Sequence, residues 1–243
     1  MRIIELLLRT SMLEQMKEFY ANRLGFPVKV QTKDSFTIYA GETSLSFVRD
    51  DGNVRPNYHF ALNIPENQIV EAKEWLLRQG CPLLNAATME SLGIYASEDI
   101  VTFERTNAHG VYFEDPSGNL VELIARHSMK NSATEPFHIS SILNISEIGF
   151  PLRNTVPEAI QELESRVDVK PYVGDKISFQ MLGDDQGMFI LVDTENKWYP
   201  TGRTPEIHPI HMTVAGDRNE RFQLEPYPYF VQISITTRST KQS

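Results

Sequence analysis

The stretch that decides the fold reads His109-Gly110-Val111-Tyr112-Phe113-Glu114-Asp115-Pro116-Ser117-Gly118-Asn119-Leu120-Val121-Glu122-Leu123-Ile124-Ala125-Arg126. Residues 111–113 are apolar and favour a strand, and residues 120–125 resume one. Residues 115–119 supply a fixed φ, side chains that bond the backbone and a glycine for positive φ. The stretch therefore predicts a β-hairpin.

The second strand of this hairpin carries a carboxylate, Glu122, between apolar neighbours on both faces. Strand alternation places Glu122 beside Leu120 and Ile124, while Val121 and Leu123 point the other way. A buried carboxylate is costly unless it is paired, hydrogen-bonded or bound to a cation. We therefore predict that Glu122 has a partner inside the fold.

Residues 112–123 resemble the closing hairpin of the glyoxalase/bleomycin-resistance/extradiol-dioxygenase families, the vicinal oxygen chelate superfamily. The resemblance implies βαβββ modules that pair into cupped sheets. It also implies a divalent metal on the glutamate at this place of the last strand, which here is Glu122. Glu122 is accordingly a candidate metal ligand and a candidate catalytic residue.

The same unit recurs along the chain. A strand over 2–10, a helix ending near Gly25 and three short strands up to Val48 form one module. A second runs from Tyr58 to the hairpin, a third from 145 to 192, and strands over 210–215 and 229–235 leave no room for a helix. The predicted fold class is α+β, with three full βαβββ modules and a truncated fourth forming paired, cupped mixed sheets.

A domain boundary is predicted in the polar, aperiodic segment 127–140, which contains Pro136. Residues 1–128 would hold two paired modules, a glyoxalase-like domain with the site. Residues 140–236 would hold the third and the truncated fourth module and support the first domain. The polar passage 85–107 is expected to form a lid or rim of the site, and the segment 198–200 to pack between the domains.

Aligning the modules by their alternation gives equivalent positions, namely Glu5, His59, Glu147 and His211 on first strands and Ser46, Glu122 and Ile190 on last strands. The resemblance implies that four such positions converge in one cup. In the N-terminal pair, Glu5, His59 and Glu122 would bind a metal, with Ser46 a weak fourth group. One imidazole and two carboxylates suit Zn²⁺, Mn²⁺, Fe²⁺, Co²⁺ or Ni²⁺. Ile190 argues against a second metal site.

Other interpretations of these residues stay open. Metal-using relatives more often carry histidine where this chain has Glu5, and ring-cleaving relatives use two histidines and one carboxylate. Glu5 could instead be solvated or pair with Arg9, and His59 and Glu122 could form a polar pair without metal. His109 is a second candidate catalytic residue, a general base or a hydrogen-bond donor, with a surface role as its alternative.

The composition restricts the class of partner. The net charge of -9, without a basic cluster, argues against nucleic acid and anionic membranes. One cysteine, Cys81, and the lack of a long apolar run or leader indicate the cytoplasm. A Gly-rich phosphate loop, a nucleophile elbow and paired cysteines are all missing from the sequence.

Two functions follow as hypotheses. The first is a metal-dependent lyase or isomerase, less favourably a dioxygenase, acting on a small molecule with vicinal oxygens. The alternative is a metal-free protein that binds and sequesters a small molecule, as bleomycin-resistance-like members do. A homodimer is compatible with both hypotheses.

Overall fold

The computed structural model describes residues 1–52 and 55–236. Its helices are α1 (Leu13–Lys17), which continues as a π-helical turn over Glu18–Arg23, α2 (Ile69–Arg78) and α3 (Val156–Arg166). Its strands are β1 (Ile3–Thr10), β2 (Val28–Gln31), β3 (Ser35–Ala40), β4 (Thr43–Arg49), β5 (His59–Ile64), β6 (Ile94–Ser97), β7 (Ile100–Phe103), β8 (Ala108–Glu114), β9 (Leu120–Arg126), β10 (Asn144–Leu152), β11 (Pro171–Gly174), β12 (Phe179–Asp184), β13 (Gly187–Asp193), β14 (Ile210–Gly216), β15 (Glu220–Gln223) and β16 (Tyr229–Ile235).

The strands form two curled mixed sheets, which confirms the predicted α+β fold of repeated modules. Sheet 1 has the order β15-β16-β14-β1-β4-β3-β2, and sheet 2 has the order β11-β12-β13-β10-β5-β9-β8-β7-β6. We call their concave faces cup 1 and cup 2. The strand order shows that each cup is built from two modules.

The modules do not pair in the order expected from the sequence. The first strand of module 1, β1, lies antiparallel to β14 of the truncated module 4. The first strand of module 2, β5, lies antiparallel to β10 of module 3. The expected pairing of the first two modules is therefore corrected, and each sheet draws strands from both predicted domains. Alternation fixes which face a side chain occupies, but it does not select the partner of a first strand.

The convex faces of both sheets and the three helices share one core. Leu6 and Leu8 of β1 are fully buried there. Phe60 and Leu62 of β5 are also buried, with at most 1% of either residue exposed. Across the two sheets, aromatic rings meet directly, with Phe150 of β10 and Tyr229 of β16 4.5 Å apart. Because Leu6 and Leu8 enter this core, Glu5 and Leu7 between and beside them face cup 1 instead.

Two segments contain more regular structure than the sequence indicates. The polar passage 85–107 forms the hairpin β6–β7, which extends sheet 2 at its edge. The predicted linker 127–140 contains short helical turns and places Phe137 and Ile139 in the core. No helix in the described ranges has the length and apolar character needed to cross a membrane.

The predicted β8–β9 hairpin is present and is locked by the buried carboxylate of Asp115. This carboxylate accepts hydrogen bonds from the backbone N–H groups of Ser117 at 2.9 Å and Asn119 at 3.0 Å. It also accepts from the Asn119 amide at 2.7 Å and from the Tyr20 hydroxyl at 2.9 Å. The turn is thereby tied to the helix of module 1.

Removing this carboxylate is expected to destabilise the fold. Asp115→Ala leaves several buried donors without an acceptor, so the free energy of unfolding in urea should fall by about 2–4 kcal/mol. Glu114→Ala is the matched control, because Glu114 forms a solvent-exposed ion pair with Arg203. Its effect should stay below about 1 kcal/mol. Equal losses in the two variants would contradict this role of Asp115.

Candidate metal centre

Three ligand-type side chains meet in cup 2. His59 lies on β5, Glu122 on β9 and Glu147 on β10, and these are adjacent strands of sheet 2. Ala61 of β5 is the register partner of both glutamates, and His59 lies two residues earlier on the same face. One ligand atom from each of the three residues lies within 4.8 Å of the other two.

His59 is oriented by the backbone of the next strand. Its Nδ1 donates to the Leu120 carbonyl at 3.1 Å, which directs Nε2 toward the glutamates in cup 2. Nε2 lies 3.7 Å from Oε2 of Glu147. An imidazole held by its far nitrogen in this way is the arrangement that metal-binding histidines use.

Glu147 is held in its charged form by a buried cation, Arg126. The two side chains form an ion pair, and the Arg126 Nε also donates to Asn63 Oδ1 at 3.1 Å. Burial acts to raise the pKa of Glu147. Hydrogen bonding to His59 and the charge of Arg126 outweigh burial, so the pKa lies below its ordinary value. Glu147 is therefore an anion at neutral pH.

Glu122 has the opposite electrostatic environment. Burial and the negative charge of Glu147 raise its pKa well above the ordinary value, although Arg126 and the Tyr112 hydroxyl act to lower it. Its Oε1 is buried and has no hydrogen-bond partner among the described residues. A Cβ on Gly110 of β8 would collide with this oxygen, so the glycine makes room for it. An unpartnered acceptor beside a carboxylate and an imidazole is the environment that a divalent cation would satisfy.

An aromatic turn covers the group. The Trp198 ring lies 5.0 Å from the His59 ring and rests on Gly149, where any Cβ would strike the indole. Tyr199 packs at 6.0 Å from the ring of Tyr112 and donates to the Ala87 carbonyl at 2.9 Å. The group is consequently shielded from water, with His59 6% exposed and Glu122 2% exposed. The segment 198–200 packs against residues of both predicted domains, as expected, and there it closes cup 2.

The structure separates the residues selected from the sequence. His59 and Glu122 lie together, but Glu5 and Ser46 lie in cup 1. His109 lies on the opposite face of β8 from Gly110, and its Nδ1 lies 2.7 Å from Nε2 of His127. Burial and the charge of His127 lower the pKa of His109. Neither Glu5 nor His109 belongs to the group around Glu122.

Two residues of the centre were not selected from the sequence. The sequence places Glu147 at a position equivalent to that of His59 but in a different cup, because it predicts that modules 1 and 2 pair, whereas β5 pairs with β10. Arg126 lies four residues after Glu122 in the same strand, so the alternation already places both on one face. That spacing was the available signal for a cation beside Glu122.

The family comparison agrees with this architecture. Residues 2–123 match the model of the Glyoxalase/Bleomycin resistance protein/Dioxygenase superfamily. The chain belongs to this superfamily. The match includes His59 and Glu122 and ends before Glu147. No curated protein matches the chain significantly.

Solved structures share the whole architecture at low sequence identity. A candidate dioxygenase from Bacillus subtilis subsp. subtilis str. 168 is 15% identical, with a TM-score of 0.57 over 96% of this chain and 84% of that one. A point mutant of glyoxalase I from Zea mays is 11% identical, with a TM-score of 0.56 over 96% of this chain and 92% of that one. At these identities the likeness establishes the fold alone.

Proposed function

We propose that this chain is a divalent-metal-dependent enzyme, an isomerase or lyase rather than an oxygenase, that acts on a small molecule with vicinal oxygens. The metal would be held by His59, Glu122 and Glu147. The observation that carries the proposal is the convergence of these three buried groups, one of which has an oxygen without a partner among the described residues. Zn²⁺, Mn²⁺, Fe²⁺, Co²⁺ and Ni²⁺ all accept such nitrogen and oxygen ligands.

The residues suit proton transfer. His59, Glu122 and Glu147 would hold a divalent ion, and that ion would supply a Lewis acid for negative charge on a substrate oxygen. Glu122 is the proposed general base, because burial and the charge of Glu147 raise the pKa of its carboxyl group and so make the carboxylate a better proton acceptor. Arg126 holds Glu147 ionised, so the two carboxylates take different roles. The presence of one imidazole rather than two disfavours the oxygenase alternative.

The aromatic turn would control access to the centre. Trp198 and Tyr199 lie over the ligand group and exclude water from it. A substrate reaches Glu122 only when this turn is displaced. Exclusion of water strengthens the electrostatic interactions of the site once the turn has closed again.

The metal content of the protein tests this proposal. Protein purified without chelator or affinity metal should contain about one equivalent of transition metal per chain, as a folded buried ligand set predicts. His59→Ala, Glu122→Gln and Glu147→Gln should each lower metal affinity by at least about 10-fold. Glu5→Gln, in cup 1, is the matched control and should keep the metal. A parent protein that neither contains nor takes up metal would refute the proposal.

A metal-free binding protein is the second candidate, and one observation favours it. The ion pair of Arg126 with Glu147, together with a protonated Glu122, leaves the group electrically balanced without a metal. In this alternative the three residues are a polar network that orders cup 2. The same titration distinguishes the two candidates, because the network would not bind metal in the parent or in any variant.

A further inference from the structure

Cup 1 is a second concave site, separate from the metal centre. It encloses a cavity of about 390 Å³ whose lining includes Glu5, Lys29, Ser46, His211, Arg221 and Phe230. Unlike cup 2, it has no aromatic turn among its lining residues. Its volume lies in the range of small-molecule sites.

The positions that form the metal centre in cup 2 are occupied differently in cup 1. In each module, the ligand position on the last strand pairs with the residue two places after the ligand position on the first strand. In module 2, for example, Glu122 pairs with Ala61, which lies two residues after His59. The same relation holds for Leu7 with Ser46 and for Thr213 with Gln232. The equivalent set in cup 1 is thus Glu5, Ser46, His211 and Gln232. Within the described ranges, these residues form no group of three metal-type ligands.

Two basic side chains line cup 1 from opposite edges of sheet 1, although the chain as a whole carries a net charge of -9. Lys29 lies on β2 and Arg221 on β15, the two outermost strands of sheet 1, and both side chains line the cavity. Lys29 Nζ donates to Ser44 Oγ at 3.0 Å. Glu220, next to Arg221 in sequence, is paired with Arg166 and Arg218. Both lining cations are thus available to an anion in the cavity.

Hydrogen-bond acceptors lie between these cations. The Glu5 carboxylate is solvent-exposed and accepts one bond, from Thr213 Oγ1 at 3.1 Å. The His211 ring stacks on Phe230 with 4.6 Å between centroids and 16° between planes. Burial and the charges of Arg221 and Arg9 lower the pKa of His211, so the imidazole is neutral at neutral pH. Glu5 can therefore receive a further hydrogen bond from a hydroxyl group.

We propose that cup 1 binds a small organic dianion that carries a hydroxyl group, with its carboxylates toward Lys29 and Arg221 and its hydroxyl toward Glu5. Two cations at opposite rims select a ligand with charge at both ends. Glu5 repels an anion unless the ligand offers it a proton donor, so the hydroxyl group provides selectivity.

Calorimetric titration with L-malate, a hydroxylated dicarboxylate, tests this site against succinate, which lacks the hydroxyl group. Malate should bind more tightly than succinate. Lys29→Ala and Arg221→Gln should each weaken malate binding at least about 10-fold, the usual effect of losing one charge-assisted hydrogen bond. Lys33→Ala, an exposed lysine in the turn after β2, is the matched control and should bind as the parent does.

Glu5→Ala tests the role of the hydroxyl group, and it should bring malate and succinate to similar affinities. Glu122→Gln changes the metal centre in cup 2 and should leave malate binding unchanged. Unchanged binding would show that malate binds separately from the metal centre. The absence of malate binding, or equal affinity in the parent, Lys29→Ala and Arg221→Gln proteins, would overturn the proposal.

Discussion

Glu122→Gln is expected to stabilise the metal-free protein at pH 8 and to destabilise it relative to the parent when Zn²⁺ or Mn²⁺ is present. Without metal at pH 8, folding of the parent must either protonate the Glu122 carboxyl group or bury its negative charge beside the anion Glu147, with one oxygen lacking a partner among the described residues. The neutral glutamine avoids this cost, which is about 1–3 kcal/mol for a buried group without a partner. The order of stability of the two proteins should therefore invert when metal is added.

The pH dependence follows from the direction of the pKa shift. Because the pKa of Glu122 is raised in the folded state, its contribution to stability is fully present below the unfolded pKa of about 4.3 and is lost as pH rises through the folded pKa. In chelator, the advantage of Glu122→Gln should thus increase with pH. Metal at about 100 times its Kd would add about 2.7 kcal/mol to the parent and much less to the variant.

Urea unfolding of both proteins, with EDTA and with metal, measures this inversion. Glu5→Gln is the control, since Glu5 lies in cup 1 and its exchange should not change the response to metal. A variant that is less stable than the parent under every condition would contradict the expectation. Such a result would indicate that Glu122 is held by hydrogen bonds as an ordinary polar core residue.

The local fold was predictable because short-range chemistry determines it. The turn residues 115–119 specify the hairpin, and alternation in β5 and β10 identifies the positions of His59 and Glu147. The equivalence of Glu5, His59, Glu147 and His211 inferred from alternation agrees with the strand registers. These features depend on a few neighbouring residues, which is why one sequence suffices to recognise them.

The composition of each cup was not predictable from the same information. The ligand group depends on whether β5 lies beside β1 or β10, and both strands carry a glutamate at the required position. Backbone hydrogen bonds between first strands are similar for either choice, so the decision comes from packing of the whole chain. This choice of partner strand is the reason that Glu147, and not Glu5, lies beside His59 and Glu122.

Arg126→Met is expected to produce the largest loss of stability at the centre. Arg126 is fully buried and is the cation that pairs with Glu147, itself 4% exposed. Removing one partner of a buried ion pair leaves an uncompensated charge and typically costs about 3–5 kcal/mol. The free energy of unfolding in urea and EDTA at pH 8 should fall by this amount. Arg78→Met, which breaks an exposed pair with Glu74, should cost less than about 1 kcal/mol.

A second substitution and a change of pH separate charge from packing in this result. Glu147→Gln in the Arg126→Met background removes the uncompensated charge, so the double variant should recover most of the lost stability.

The pKa of Glu147 is lowered in the parent, so the stability gained from its ionisation is present above the unfolded pKa and is lost as pH falls. The difference between the parent and Arg126→Met should therefore shrink in acid. A double variant no more stable than Arg126→Met would show that the arginine acts by filling space. If the charge explanation holds, a divalent ion in cup 2 should also restore part of the stability of Arg126→Met, because it supplies positive charge to the same carboxylate.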